Sequence, residues 1–494
     1  MGHHEKVVET VSPVNAGDEK KLVRKQDARI IPLSAGIYFL CFLDRANMGN
    51  AKVLNSTESD NMESSLHMSH NQFNVALMTF FISYALLEVP SNFLLKKLRP
   101  SRWLAFLMFG WGAMTVSLGS VRSFAAVAGV RFLLGMFEAG LFPGLVYYMT
   151  FWYRHDERSV RVATVISSAT LAGAFGGAIA YAIGHMNGVR GLEGWRWLFI
   201  IEGIPSCVSS FLVFFLLPDY PESASWLSKA EKDLAATRLL HEGSKSSHKT
   251  ISWADLQETL TDWRLYVHYI LYFAVSSPFA SLSLFIPSLT ANLGFGDLMA
   301  QLMVVPPWAV TYSEFVVFNM ARTSLWIPNA RVLSRYLVCQ ILVAFSADRF
   351  NGRSIHAAGA ACVGAAGFAV SAALPPSAYK ARYGALFMAA SGTFASIPPL
   401  LGWLTCNLFS TSSAGLAIAM NVSTGSLAQI VGIFIYKGEE ASIGYPTGHW
   451  TNAGFLLLVA TLSLALRAYY SRENKRLAAE AEERGVEQVR IYKL

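Results

Sequence analysis

The sequence predicts an all-α membrane protein, with twelve transmembrane helices in two six-helix repeats. Three observations carry that prediction. Long apolar runs recur along the chain, among them Phe73 to Leu95, Phe124 to Met149, Trp197 to Leu217, Tyr266 to Leu289 and Asn452 to Tyr470. Each can cross a hydrocarbon layer about 30 Å thick, which takes roughly 20 helical residues. Composition agrees: 53% of the 494 residues are hydrophobic and only 15% are charged, against about a quarter charged in soluble domains. Finally, a polar stretch at 218–262 divides the apolar runs into two groups. Without water, each span must satisfy its own backbone hydrogen bonds, and a helix does so.

Residues 1–28 are polar and charged and are expected to form a cytoplasmic tail. The N-terminal half, 29–217, is expected to span near 30–48, 73–95, 103–121, 124–150, 162–186 and 197–217. The linker, 218–262, opens on Pro218-Asp219-Tyr220-Pro221-Glu222 and carries Lys229, Lys232, Lys245 and Lys249. The C-terminal half, 263–470, is expected to span near 266–290, 300–312 continuing at 338–347, 354–374, 383–407, 414–436 and 452–470. Residues 471–494 form a second tail.

Basic clusters at Lys96-Lys97 with Arg99 and Arg102, at Arg154, Arg158 and Arg161, and at Arg349 with Arg353 fall on the side of both termini. Positive charge marks the cytoplasmic side, so both termini are expected there; Arg190, Lys380 and Arg382 break the pattern. The net charge of +7 therefore reads as topology, not as nucleic-acid binding. Asn55-Ser56-Thr57 is a glycosylation sequon on the expected outer face. No cleavable signal peptide is expected. The five cysteines form no CxxC pair, so neither a disulfide framework nor a zinc site is expected. The chain has no GxxxxGK[ST] loop for ATP-driven transport. The expectation is a multi-pass monomer of the cell membrane, in lipid, without metal or cofactor, and not an enzyme.

One stretch breaks the pattern. Residues 313–337 carry Glu314, Arg322, Pro328, Arg331 and Arg335 inside the eighth span. Charge is costly at that depth and proline breaks a helix. Joining Tyr312 to position 338 restores an apolar span of ordinary length, so this insertion reads as an unspliced intron; a re-entrant insertion is the rival reading.

Several motifs then become specific. They are Asp348-Arg349 through Gly352-Arg353, Leu43-Asp44-Arg45-Ala46-Asn47-Met48-Gly49-Asn50, Glu88-Val89-Pro90-Ser91-Asn92, Arg131-Phe132-Leu133-Leu134-Gly135 with Glu138-Ala139-Gly140, and Trp195-Arg196-Trp197. The first resembles the loop signature of the major facilitator superfamily. The others resemble its fungal allantoate permease branch, within the anion:cation symporter family. The resemblance covers nearly the whole chain except the tails. It implies a secondary transporter taking up a small organic anion, such as allantoate, nicotinate or a vitamin-like carboxylate, with protons. Export of a fungal metabolite and a non-transporting nutrient sensor are the alternatives.

The candidate site residues follow from both readings. An arginine in hydrocarbon faces a cavity or a partner, and a guanidinium fork matches a carboxylate. Arg45 is thus the expected anion clamp, with Asn47, His268 and Asn407 as further substrate contacts. Arg131 and Glu138 lie two helical turns apart on one face, with Gly135 between them leaving room for a neighbouring helix. They are the expected proton-coupling pair, with Glu88 as a second protonation site. The Asp348, Arg349 and Arg353 loop is the expected conformational gate. Each charged group also has a plain structural reading, as an ion pair holding its helix to the bundle.

Overall fold

The computed structural model describes residues 16–240, 257, 260–312, 352–408, 411–484 and 491–494. The first half comprises α1 (Ala16–Val53), a short α2 (Met62–Ser65), α3 (His70–Lys97), α4 (Pro100–Leu118), α5 (Phe124–Glu138), α6 (Leu141–Met149), α7 (His155–Gly184) and α8 (Gly194–Leu216). A linker helix, α9 (Lys229–Leu240), leads to α10 (Trp263–Ala291), α11 (Asp297–Met303), α12 (Arg353–Ala373), α13 (Tyr379–Cys406), α14 (Thr411–Phe434) and α15 (Pro446–Arg484). Helix resumes after α11 over 305–312. Residues 313–337, like Asp348 and Arg349, lie outside the described residues.

Local signals set the helix starts. Ser69 and Gln72 form a reciprocal capping box at α3. Pro100 opens α4, where its missing N–H costs nothing. Asp262 accepts from the Arg264 N–H at the start of α10. Among the described residues, nine helical stretches are long and apolar enough to cross a membrane. The other expected spans are interrupted in ways the sequence explains. Helix α1 carries Asp44 and Arg45 in its middle, α4 is short and begins with Arg102 in its first turn, and the eighth span runs into the undescribed insertion. Lipid-facing residues such as Phe211, Phe214 and Phe215 on α8 stay exposed, as expected for a helix apolar on all sides.

The two halves meet through α1 against α10, α3 against α14, and α7 against α11. The α7 approach depends on Gly177, where a Cβ would sit 2.6 Å from the Gln301 carbonyl oxygen. The glycine-rich stretch of α7 is thus a packing surface between halves. The linker docks on the first half. Glu231 pairs with Lys25 at 2.8 Å, Arg238 binds Glu19 at 2.8 Å and also Glu157, and Trp226 stacks on Trp152.

Candidate functional site

Span 4 is not one helix. Helix α5 ends at Glu138, Ala139 is extended (φ −58°, ψ 133°), and Gly140 takes φ 80° before α6 begins. That left-handed conformation suits glycine. The break leaves Glu138 on the last turn of α5, completely buried. Gly135 lets α5 lie flush on α3, since a Cβ there would meet the Phe80 carbonyl oxygen at 2.2 Å.

Glu138 faces α1. Its Oε2 accepts from Arg45 Nη2 at 2.7 Å and from Nε at 3.1 Å. The Cys41 thiol, one turn before Arg45, donates to the same oxygen at 3.4 Å. Spacing places Arg131 and Glu138 on one face of their helix, and the tertiary packing gives the Glu138 carboxylate to Arg45. Arg131 is fully buried, and none of its side-chain nitrogens has a hydrogen-bond partner among the described residues. Its guanidinium lies 4.4 Å from the centre of the Phe80 ring, and that of Arg45 lies 5.1 Å from the same ring. Arg45 also lies over Tyr84. One carboxylate and the Phe80 and Tyr84 rings therefore surround two buried guanidinium groups. A desolvated cation–π contact contributes about 2 kcal/mol, far less than an ion pair lost from such a site.

Asp44 and Asn47 belong to a different face of α1. Asp44 accepts from Ser206 of α8 at 2.6 Å, and Asn47 lies beside Glu202 of α8. Asn47 is therefore turned away from Arg45 and does not extend its clamp. Glu88 of α3 points to the other half, where Ser423 of α14 donates to it at 3.0 Å. Of the aromatic residues, Tyr38 packs on Phe142 near the break, at 5.3 Å between ring centres.

Three other expectations need correction. His268 is buried between Trp403 and Tyr470, at the end of the second half where Tyr492 packs on Tyr470. Asn407 binds the backbone of Lys493, at 2.8 Å and 3.1 Å. Neither residue joins Arg45, because α10 and α13 place them at the helix ends rather than mid-bundle. Asn55 is buried in a left-handed turn (φ 56°) and donates to the Gly184 carbonyl at 3.2 Å. Its amide does not face solvent, so the folded chain offers no glycan site there. Arg353 opens α12 and its N–H donates to the Leu494 carbonyl.

Sequence reading missed Cys41, Phe80, Ser206 and Ser423. Cys41 was findable, because it precedes Arg45 by four residues and so shares its face. Ser423 was not, since nothing local links it to Glu88.

Residues 35–334 match the family described as Major Facilitator Superfamily. The chain belongs to that superfamily. It is 55% identical to the MFS transporter prlL of a fungal species (strain NRRL 50135), over 97% of this chain and 92% of that one. It is 31% identical to the MFS-type transporter cnsO of Penicillium expansum, over 96% and 88%. The proton:xylose symporter XylE superposes with a TM-score of 0.65 at 13% identity, covering 90% of this chain and 96% of that one. A bacterial homologue of the lysosomal transporter Spinster superposes with a TM-score of 0.59 at 17% identity, covering 89% and 97%. The fold is thus that of a multi-span secondary transporter, which carries small molecules across a membrane and is not an enzyme.

Proposed function

We propose that this transporter takes up a small organic anion together with protons, as a member of the allantoate permease branch. The observation that carries this reading is the buried Arg45–Glu138 ion pair beside an Arg131 that has no hydrogen-bond partner among the described residues. A carboxylate cargo competes with Glu138 for Arg45. Protonating Glu138 removes the charge that holds Arg45 and frees the guanidinium for the anion. Arg131 then supplies a second cation to a site that already lacks counter-charge. Glu88 serves as a second protonation site, at the contact with Ser423 of the other half. A relative from Agrobacterium vitis named for tartrate, a dicarboxylate, is 30% identical over 92% of this chain. It supports an anionic cargo.

The same reading has twelve spans in two six-helix repeats, both termini cytoplasmic, a monomer in the cell membrane, and a gating loop at Asp348, Arg349 and Arg353. Residues 313–337 are proposed to be absent from the spliced product. Transcript sequencing tests this, and a dominant message retaining the segment refutes it.

The functional test is uptake of a radiolabelled carboxylate panel at pH 5 and pH 7.5, in cells expressing the version without 313–337. Uptake stimulated by acid, and lost in both Arg45→Ala and Glu138→Gln, is the expected result. No uptake of any member by protein at the cell surface would overturn it in favour of export or sensing.

A further inference from the structure

The segment Ile491–Leu494 is not a loose tail. It lies across the ends of α10, α12 and α13 and against the flank of α15 at Tyr470 and Asn474, and two asparagines read its backbone. Asn474 of α15 donates to the Tyr492 carbonyl at 2.8 Å and accepts from the Tyr492 N–H at 2.7 Å. Asn407, at the end of α13, accepts from the Lys493 N–H at 2.8 Å and donates to the Lys493 carbonyl at 3.1 Å. The Trp403 indole donates to that same carbonyl at 2.8 Å. The Arg353 N–H, in the first turn of α12, donates to the Leu494 carbonyl at 3.0 Å.

Each asparagine offers one donor and one acceptor to one residue, which is how a neighbouring strand would pair. Recognition of the backbone is joined by one anchor. The Tyr492 ring stacks on Tyr470 of α15, with centres 4.8 Å apart and planes 6° apart. Arg264 of α10 lies over its face at 5.0 Å and also donates to its hydroxyl. Beneath this anchor, Trp403, Tyr470 and His268 pack edge to face. His268 and Asn407, which sequence reading assigned to cargo, are thus the floor and wall of a separate site.

We propose that α10, α12, α13 and α15 build a peptide-binding socket whose occupant is the chain's own Tyr492-Lys493-Leu494, and that the docked segment clamps the ends of α10, α12 and α13 to the 470–474 stretch of α15. Three features support a clamp. The segment touches all four helices within three residues. It supplies hydrogen bonds to helix-end groups, which otherwise rely on water. Apart from the Arg264 contact with the Tyr492 hydroxyl, its polar contacts are to backbone, so they demand one conformation in one register. A partner peptide with an aromatic residue at the Tyr492 position would compete for the same socket.

Hydrogen–deuterium exchange on the full chain in lipid nanodiscs tests both parts. The Tyr492 and Lys493 amides are expected to be protected in the unaltered protein. The variant carrying Asn407→Ala and Asn474→Ala is expected to lose about tenfold or more of that protection, the scale of one or two lost hydrogen bonds. Tyr492→Ala, which lies outside every helix and spares the fold, is expected to do the same. With either variant, exchange in 401–406 and 470–476 is expected to rise, because the clamp is off. Exchange of 491–494 at the free-peptide rate in the unaltered protein would overturn the socket. Release of the segment without any change in the helix ends would overturn the clamp.

Discussion

The pairing of Arg45 with Glu138 can be tested without knowing the cargo. The Arg45 side chain is 11% exposed and that of Glu138 is 0% exposed, at 2.7 Å. Removing one member of a buried pair leaves the other charge uncompensated and costs about 3–5 kcal/mol. Here the cost of Glu138→Leu falls at the high end, because Arg131 already lacks a hydrogen-bond partner among the described residues and the two guanidiniums then keep only the Phe80 and Tyr84 rings. Arg45→Met leaves Glu138 with Arg131 as its nearest buried cation, so its cost falls at the low end. Replacing both with apolar residues removes the stranded Arg45 charge and leaves only Arg131, which the Glu138 single variant also leaves; replacing a buried pair is often far less costly than breaking it. The double variant is therefore expected to lose at least about 2 kcal/mol less than the sum of the single variants. Thermal unfolding in matched nanodiscs at one scan rate reads this as a smaller drop in midpoint for the double variant than the two single drops together. Additive losses would show that the two side chains do not interact in the membrane, and would remove the basis for proton-controlled release of Arg45.

At Gly135, a Cβ would sit 2.2 Å from the Phe80 carbonyl and 2.3 Å from Ser83 Oγ; Gly135→Val is expected to cost about 3 kcal/mol or more by overpacking, read as lost folded yield in detergent. A hydrogen bond from Arg238 holds the Glu19 carboxyl below its ordinary value of 4.5, helped by charge from Arg154. A lowered folded value contributes stability that is present above the unfolded value and is lost as pH falls through the folded one. Docking of α9 should therefore be constant from pH 7 to pH 5 and weaken below about pH 4.5, with this acid step diminished in Glu19→Gln; limited proteolysis of the linker measures it. Asn55→Gln is expected to leave the gel mobility of the protein made in a glycosylating host unchanged, and to cost about 1–2 kcal/mol through the left-handed turn and the lost bond to Gly184.

How far the sequence reached varies between elements. The runs that became α3, α8 and α10 were legible because transfer into hydrocarbon is a sum over consecutive residues, with no need of a partner. Caps such as Ser69 with Gln72 are equally local. Gly135 as a packing site was legible from its spacing to Arg131 and Glu138. The break between α5 and α6 was less visible, since Glu138-Ala139-Gly140 reads as a continuing helix unless Gly140 is forced to positive φ.

Charge partners were where local reading failed. Arg45, Arg131 and Glu138 were singled out because a charge in hydrocarbon is costly wherever it lies. Which cation Glu138 holds depends on the crossing of α1 and α5, which spacing along one helix does not report. His268 and Asn407 were drawn to the cargo for the same reason: polarity near a span marks a buried polar group but not its address. By itself the sequence determined that the chain spans a membrane in helices and which few side chains must find partners there, because burial energy is written residue by residue. Only the tertiary structure decided who those partners are, because hydrogen bonds and ion pairs depend on distances of about 3 Å between helices far apart in the chain.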